Sequence, residues 1–267
     1  MAEAFPPTER SRTSLEAALQ DDRKAFVVLL VLLPLASWIW IVVMARDMYG
    51  SMSGAGAWMM TPTWDLRHLL LLWAMWAVMM AGMMIPSISP MLLTYGMIAR
   101  RSVPRTAARQ IYALAAGYLL IWTAFSFGAT ALQRLLTALL LVSPMMEVSS
   151  PRVGAAFLLI AGVYQLAPFK GSCLRMCQSP IGFLMSHWRA GATGAFRMGL
   201  EHGAYCVGCC WGLMLLLFAG GVMNLIVIAA LTLFVAFEKL TSFGMRGTRA
   251  SGVLLIIAAL WMTTFQP

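Results

Sequence analysis

Glu201-His202-Gly203-Ala204-Tyr205-Cys206-Val207-Gly208-Cys209-Cys210-Trp211 runs without a break into Gly212-Leu213-Met214-Leu215-Leu216-Leu217-Phe218-Ala219-Gly220. The second half suits the hydrocarbon of a bilayer. The first half sets a carboxylate, an imidazole and three thiols at its mouth. In lipid a single segment satisfies its own backbone only as a helix, so one membrane-spanning helix is expected here. Ionisable groups at that depth are costly to place and point to function. At about 100° per residue, His202, Cys206 and Cys209 share one arc and Cys210 lies beside it. Ala204, Gly208 and Gly212, each four apart, form a small-residue face on the other side, where another backbone can approach closely. The helix therefore has one face for packing and one face of ligands.

Outward from this helix the chain is built of similar material. Of its 267 residues, 61% are hydrophobic and 11% charged, with mean hydropathy +0.80; a soluble domain is roughly a quarter charged. Apolar runs at 25–45, 68–98, 107–132, 153–169, 198–219, 223–237 and 252–265 predict an all-α polytopic bundle of about seven spans. Residues 1–24 read as a cytoplasmic N-terminal segment and 25–267 as a single transmembrane helical domain. Arg10, Arg12, Arg23 and Lys24 precede the first run; Arg100, Arg101, Arg105 and Arg109 follow the second. Lys170, Arg175, Arg189 and Arg197 follow the fourth, and Lys239, Arg246 and Arg249 the sixth. Base-poor loops alternate with these patches, which predicts a cytoplasmic N-terminus and an inner-membrane protein. The same distribution accounts for the net charge of +9 and gives no reason to expect nucleic acid as a partner. Residues 1–24 lack a short basic leader, so no cleavable signal is expected. Thr13-Ser14-Leu15-Glu16 fits a capping box, and Pro34, Pro86 and Pro90 predict kinks.

The five cysteines fall in two groups, Cys173/Cys177 and Cys206/Cys209/Cys210. The predicted topology puts both towards the cytoplasm, where thiols stay reduced and serve metal or redox roles. His202 and Cys209 are about 10 Å apart along a helix axis, too far to share one ion. A metal on this helix therefore takes two of its residues plus ligands from elsewhere, and Cys173 and Cys177, in an expected cytoplasmic loop at 170–197, are the natural suppliers. The plain alternative is that the thiols are small buried packing groups. Soft sulfur favours Cu(I), with Zn(II) as the second choice.

Met75, Met79 and Met83 fall on one line of the second run, and Trp76, Met80 and Met84 on the next. Thioethers bind Cu(I) without losing a proton, although Met is also an adaptable packing residue. Met44, Met48, Met52, Met59, Met60, Met145 and Met146 cluster towards the outer side, so thioethers outside and thiols inside suggest inward handling of Cu(I). Glu201, Glu238 and Lys239 are candidates to surround the ligands. Glu238 is expected to pair with Lys239 or reach the thiols, while Lys239 snorkels to the cytoplasmic surface and Lys170 anchors at the interface. Asp65 is expected to cap the second helix, with His68 as a candidate ligand at the outer mouth and His187 at the interface. No G-x-S-x-G elbow, P-loop or H-E-x-x-H occurs, so binding rather than catalysis is expected.

Trp76, Met79-Met80-Ala81-Gly82-Met83-Met84-Ile85-Pro86-Ser87, Pro90, Tyr164-Gln165, Pro168-Phe169-Lys170, Cys173-Leu174, Cys177, Gly199, His202-Gly203, Tyr205-Cys206-Val207-Gly208-Cys209-Cys210-Trp211 and Glu238-Lys239-Leu240 together resemble a bacterial family described as predicted metal-binding integral membrane proteins. The resemblance covers 64–240, and its specific part is C-x2-C-C-W. It implies a multi-pass membrane protein with a metal site at these Cys, His and Met positions.

The resulting expectation is an inner-membrane protein that binds a soft metal and moves or delivers it, with the bilayer, the ion and a metallochaperone or membrane complex as partners. The rival from another class is a membrane thiol-disulfide oxidoreductase using Cys206/Cys209 and Cys173/Cys177. A third reading is a structural or assembly subunit of a membrane complex.

Overall fold

A computed structural model of the chain describes residues 24–50, 54, 65–143, 146–241 and 244–265. The capping box at 13–16 and Met52, Met59, Met60 and Met145 lie outside the described residues. Those described form an all-helical bundle, with only an isolated bridge between Val142 and Val148 besides. A π-helical turn, Val28–Leu32, leads into α1 (Leu33–Tyr49). Then come α2 (Leu66–Ser102), α3 (Ala107–Ala138), α4 (Pro151–Leu166), α5 (Pro168–Gln178), α6 (Pro180–His187), α7 (Gly191–Met214), α8 (Leu216–Gly220), α9 (Leu225–Leu240) and α10 (Gly244–Phe265).

Local chemistry sets the boundaries. The Asp65 carboxylate accepts from the His68 amide at 2.8 Å and caps α2, as its sequence predicts. Ser150, Ser179 and Asn224 cap α4, α6 and α9 in the same way. Pro151, Pro168 and Pro180 open their helices at the position where the missing N–H costs nothing. Pro86 and Pro90 stay inside α2. Pro90 has no N–H for the Pro86 carbonyl, and the Ser89 hydroxyl donates to that oxygen instead, at 2.8 Å.

Five helical stretches are long and apolar enough to cross a membrane: Lys24–Tyr49, Leu66–Ser102, Pro104–Ala138, Gly191–Gly220 and Gly244–Thr264. A sixth exists if α4 and α5, bent by 67° at Ala167, are one broken span. The apolar run at 223–237 corresponds to α9, whose 16 residues reach about 24 Å, short of a bilayer's hydrocarbon. The segment 170–197, expected as a structured loop, is mostly helical. It holds most of α5, all of α6 and the start of α7, and α5 buries Lys170, Cys173, Leu174 and Cys177.

The core contains α3 and α7 packed along their length. Their backbones touch because glycine faces glycine there: a Cβ on Gly199 would land on the Leu114 carbonyl, and one on Gly117 on the Phe196 carbonyl. This approach brings Tyr118 of α3 against the ligand face of α7. On the other side of α7, Gly208 and Gly212 receive Cys173 and Tyr164 from the bent α4–α5 pair, so two of the three residues of the small-residue face pack as their spacing predicts, while Ala204 is exposed.

Candidate metal centre

The ligand face of α7 carries Cys206, Cys209 and Cys210, each no more than 1% exposed. All five cysteines are free thiols. From α5, Cys177 places its Sγ 3.9 Å from that of Cys209. Cys209 lies 3.3 Å from the Cys210 sulfur, and its Sγ donates to the Cys206 carbonyl at 3.1 Å. Cys206 faces the thiols of Cys177, Cys209 and Cys210. The structure thus joins the two cysteine groups through Cys177, one turn of α5 beyond Cys173. Cys173 itself lies against Gly208, on the packing face of α7.

Two helices add partners that sequence spacing does not reveal. Lys239 of α9 donates from Nζ to Cys206 Sγ at 2.8 Å and to Ser87 Oγ at 3.2 Å. The Tyr118 hydroxyl lies 3.0 Å from Cys206 Sγ and 3.1 Å from the Met84 carbonyl, which also accepts from Ser87 Oγ at 2.8 Å. Cys206 is therefore enclosed by α2, α3, α5 and α9 together. A hydroxyl in the middle of the apolar α3, and a serine one turn past Met83, are the signals that point to Tyr118 and Ser87.

Three expectations are overturned, the third being that of Glu238, which pairs with Lys170 and not with Lys239 or the thiols. Lys239 does not snorkel: it is 5% exposed and points into the thiols. Lys170 is not an interface anchor: it is fully buried and pairs with Glu238 at 2.8 Å. Glu238 also accepts from Thr248 Oγ1 at 2.6 Å and from Gln165 Nε2 at 3.2 Å, and Lys170 donates to the Gln165 oxygen as well. Glu238 and Lys239 are successive helical residues, and such neighbours point in different directions. Glu238 therefore turns to α4, α5 and α10, while Lys239 turns to α2 and α7.

Glu201 pairs with Arg189 at 2.8 Å in a partly exposed position. His202 is 3% exposed and its Nδ1 has no hydrogen-bond partner. Its ring lies between Phe183 of α6, with centroids 5.0 Å apart, and Tyr118, 6.1 Å away. Met75, Met79, Met80, Met83 and Met84 are all buried in α2, as are Met44, Met48 and Met146 elsewhere. Among the described residues, no three His, Cys, Asp or Glu side chains already converge as ligands of one ion.

Compared with known protein families, residues 73–262 match the family described as PpoB2, copper chaperone. The match runs from Trp73 in α2 into α10 and takes in the thiols, Tyr118, Lys239 and the buried ion pair. Its description names copper, where the sequence alone leaves Cu(I) and Zn(II) open. No curated protein and no solved structure matches the chain.

Proposed function

The chain belongs to the PpoB2 copper-chaperone family, and from that premise we propose that it is an integral membrane protein that takes up Cu(I) as cargo on the thiols of Cys177, Cys206 and Cys209 and hands it on. In this reading it lies in a bacterial inner membrane, crossed by the five long helices and a sixth time by the bent α4–α5 pair, with its N-terminus cytoplasmic. Cys210 supports the cluster, Cys173 receives or supplies copper beside it, and His202 is a flanking ligand. Met75, Met79, Met80, Met83 and Met84 form the thioether relay along α2. Cu(I) is bound by soft sulfur, and unlike a structural zinc site it does not call for four ligands.

The observation that carries this reading is the 3.9 Å separation of the Cys177 and Cys209 sulfurs, which come from different helices. Two sulfurs bound at about 2.3 Å to one ion lie no more than ~4.6 Å apart, so this pair closes on a metal with little movement. Charge supports it too. Three thiolates on Cu(I) carry a net charge of −2, which is costly away from water unless it is offset at least in part. Lys239 supplies part of that offset at the Cys206 sulfur.

Replacing both Cys206 and Cys209 by Ser is expected to abolish stoichiometric copper binding by the reduced, detergent-purified protein while membrane insertion continues. One-to-one binding retained in that double variant would overturn the assignment. The same sulfur pair supports the thiol-oxidoreductase reading, since a modest rotation brings Cys177 and Cys209 to bonding distance. Wild-type protein that binds no Cu(I) but cycles between dithiol and disulfide would favour it.

A further inference from the structure

On α6, Phe183 is a fully buried ring that touches two imidazoles, one of them His202 on the helix that carries the thiols. On one side lies His202, edge to face at 5.0 Å; on the other His187, stacked at 4.5 Å with the planes 7° apart. His202 is deep and stands one turn, about 6 Å of axis, before Cys206. His187 is half-buried at the end of α6, next to the exposed Trp188 and Arg189.

Each imidazole has a nitrogen suited to a soft cation. The Phe183 carbonyl can only accept, so His187 donates to it from Nδ1, at 3.2 Å, and the same N–H meets the Ser186 hydroxyl at 2.8 Å. Ser186 Oγ in turn donates to the carbonyls of Gly182 and Phe183. A neutral ring protonated at Nδ1 carries its lone pair on Nε2, and this backbone anchoring of Nδ1 is how proteins orient a metal-ligating histidine. The deep ring, His202, keeps its buried Nδ1 without a partner, although buried ring nitrogens ordinarily find one.

We propose that His187 and His202 are the two steps of a transfer route through which Cu(I) passes between the thiols and the α6 face, with Phe183 as the gate between them. The proposal rests on the copper reading of the thiols and adds where the ion leaves or arrives. Each step exchanges one ligand bond for another. The Cu–S bonds to Cys177 and Cys209 give way to water or to a ligand of the acceptor, the one to Cys206 to a Cu–N bond to His202, and, with Phe183 swung aside, that in turn to a Cu–N bond to His187. Copper remains Cu(I) throughout and no electron acceptor is needed; the thiolates it leaves take up protons from water, and thiol protons pass to water when it arrives. Tyr205, whose ring lies 6.2 Å from both Phe183 and His187, closes the side of the route.

The test loads the full-length protein with one Cu(I) per chain and follows its capture by bathocuproine disulfonate in stopped flow. His187→Ala and His187→Phe are expected to keep their copper and release it at least about tenfold more slowly, since losing one tuned metal contact costs of this order. Phe183→Ala is expected to release it faster. His187→Phe preserves the aromatic stack and removes only the nitrogen, so a wild-type rate in that variant overturns the route and leaves the thiol site standing. Loss of copper from both His187 variants would make His187 a ligand of the resting site and also overturns the route. A wild-type protein that holds no copper overturns the thiol reading and the route together.

Discussion

Lys239 and Glu238 are adjacent, of opposite charge, and do not pair. Each serves a different buried neighbour, and the division follows from helical geometry: Glu238 closes on Lys170, and Lys239 on Cys206. An ammonium in an apolar bundle is retained only against a compensating group. Here that group is a sulfur of the thiol cluster, so Lys239 and copper act on the same ligand set. Lys239→Met removes the charge and nearly keeps the volume. It is expected to weaken Cu(I) binding by about a hundredfold or more, because breaking a buried charged pair typically costs about 3–5 kcal/mol and each 1.4 kcal/mol is tenfold. Competition with a chromophoric Cu(I) chelator measures this, and an unchanged affinity would remove Lys239 from the account. Lys239→Arg keeps the charge and is expected to keep more of the affinity than Lys239→Met. The residue types needed for the chemistry were legible in the sequence, with His202, Cys206 and Cys209 on one arc of α7. The identity of their neighbours was not. Tyr118 reaches Cys206 from 88 residues earlier in the chain, and Ser87, 119 residues before Cys206, reaches the Lys239 ammonium beside it, relations that no local spacing encodes.

At the scale of elements, two devices place the thiols. The first is the break at Ala167-Pro168, which turns α5 by 67° from α4 and lays Cys177 beside Cys209. A proline disfavours helical geometry at its predecessor, yet the apolar run at 153–169 reads straight through Pro168 and misses this boundary. Its consequence, a second helix buried against α7 where a loop was expected, depends on tertiary packing. The second device is the glycine contact of α3 and α7, which draws Tyr118 onto the ligand face. Any side chain at Gly199 meets the α3 backbone, which cannot rotate away as a side chain does. Gly199→Val is therefore expected to destabilise the bundle by about 3 kcal/mol, at the upper end of overpacking costs, seen as a lowered melting midpoint in detergent. A wild-type midpoint would show that α3 and α7 separate freely. Gly208 and Gly212 were read correctly as a packing face; Gly199 and Gly117 carry the closer approach, and their role emerges only when the two helices are set side by side.

For the whole molecule, composition points to a membrane bundle, and the long apolar helices are compatible with one. The number of spans is harder to read, because hydropathy registers apolar content and not bending or length. The run at 153–169 bends at its end, and the run at 223–237 forms a helix of 16 residues. Both short helices matter to the centre: α4 leads into α5, and α9 carries Lys239 and Glu238. Elements too short to cross a bilayer alone thus deliver buried charge to the thiols, while the long helices α2, α3 and α7 hold the frame. On the proposed reading, this assembled interior holds Cu(I) on sulfur. Copper K-edge X-ray absorption of the reduced, copper-loaded full-length protein tests it most directly. The account predicts Cu(I) with a sulfur shell at about 2.3 Å, lost in the Cys206→Ser/Cys209→Ser variant. A shell of nitrogen or oxygen alone at about 2.0 Å, or a sulfur shell that persists in that variant, would contradict it.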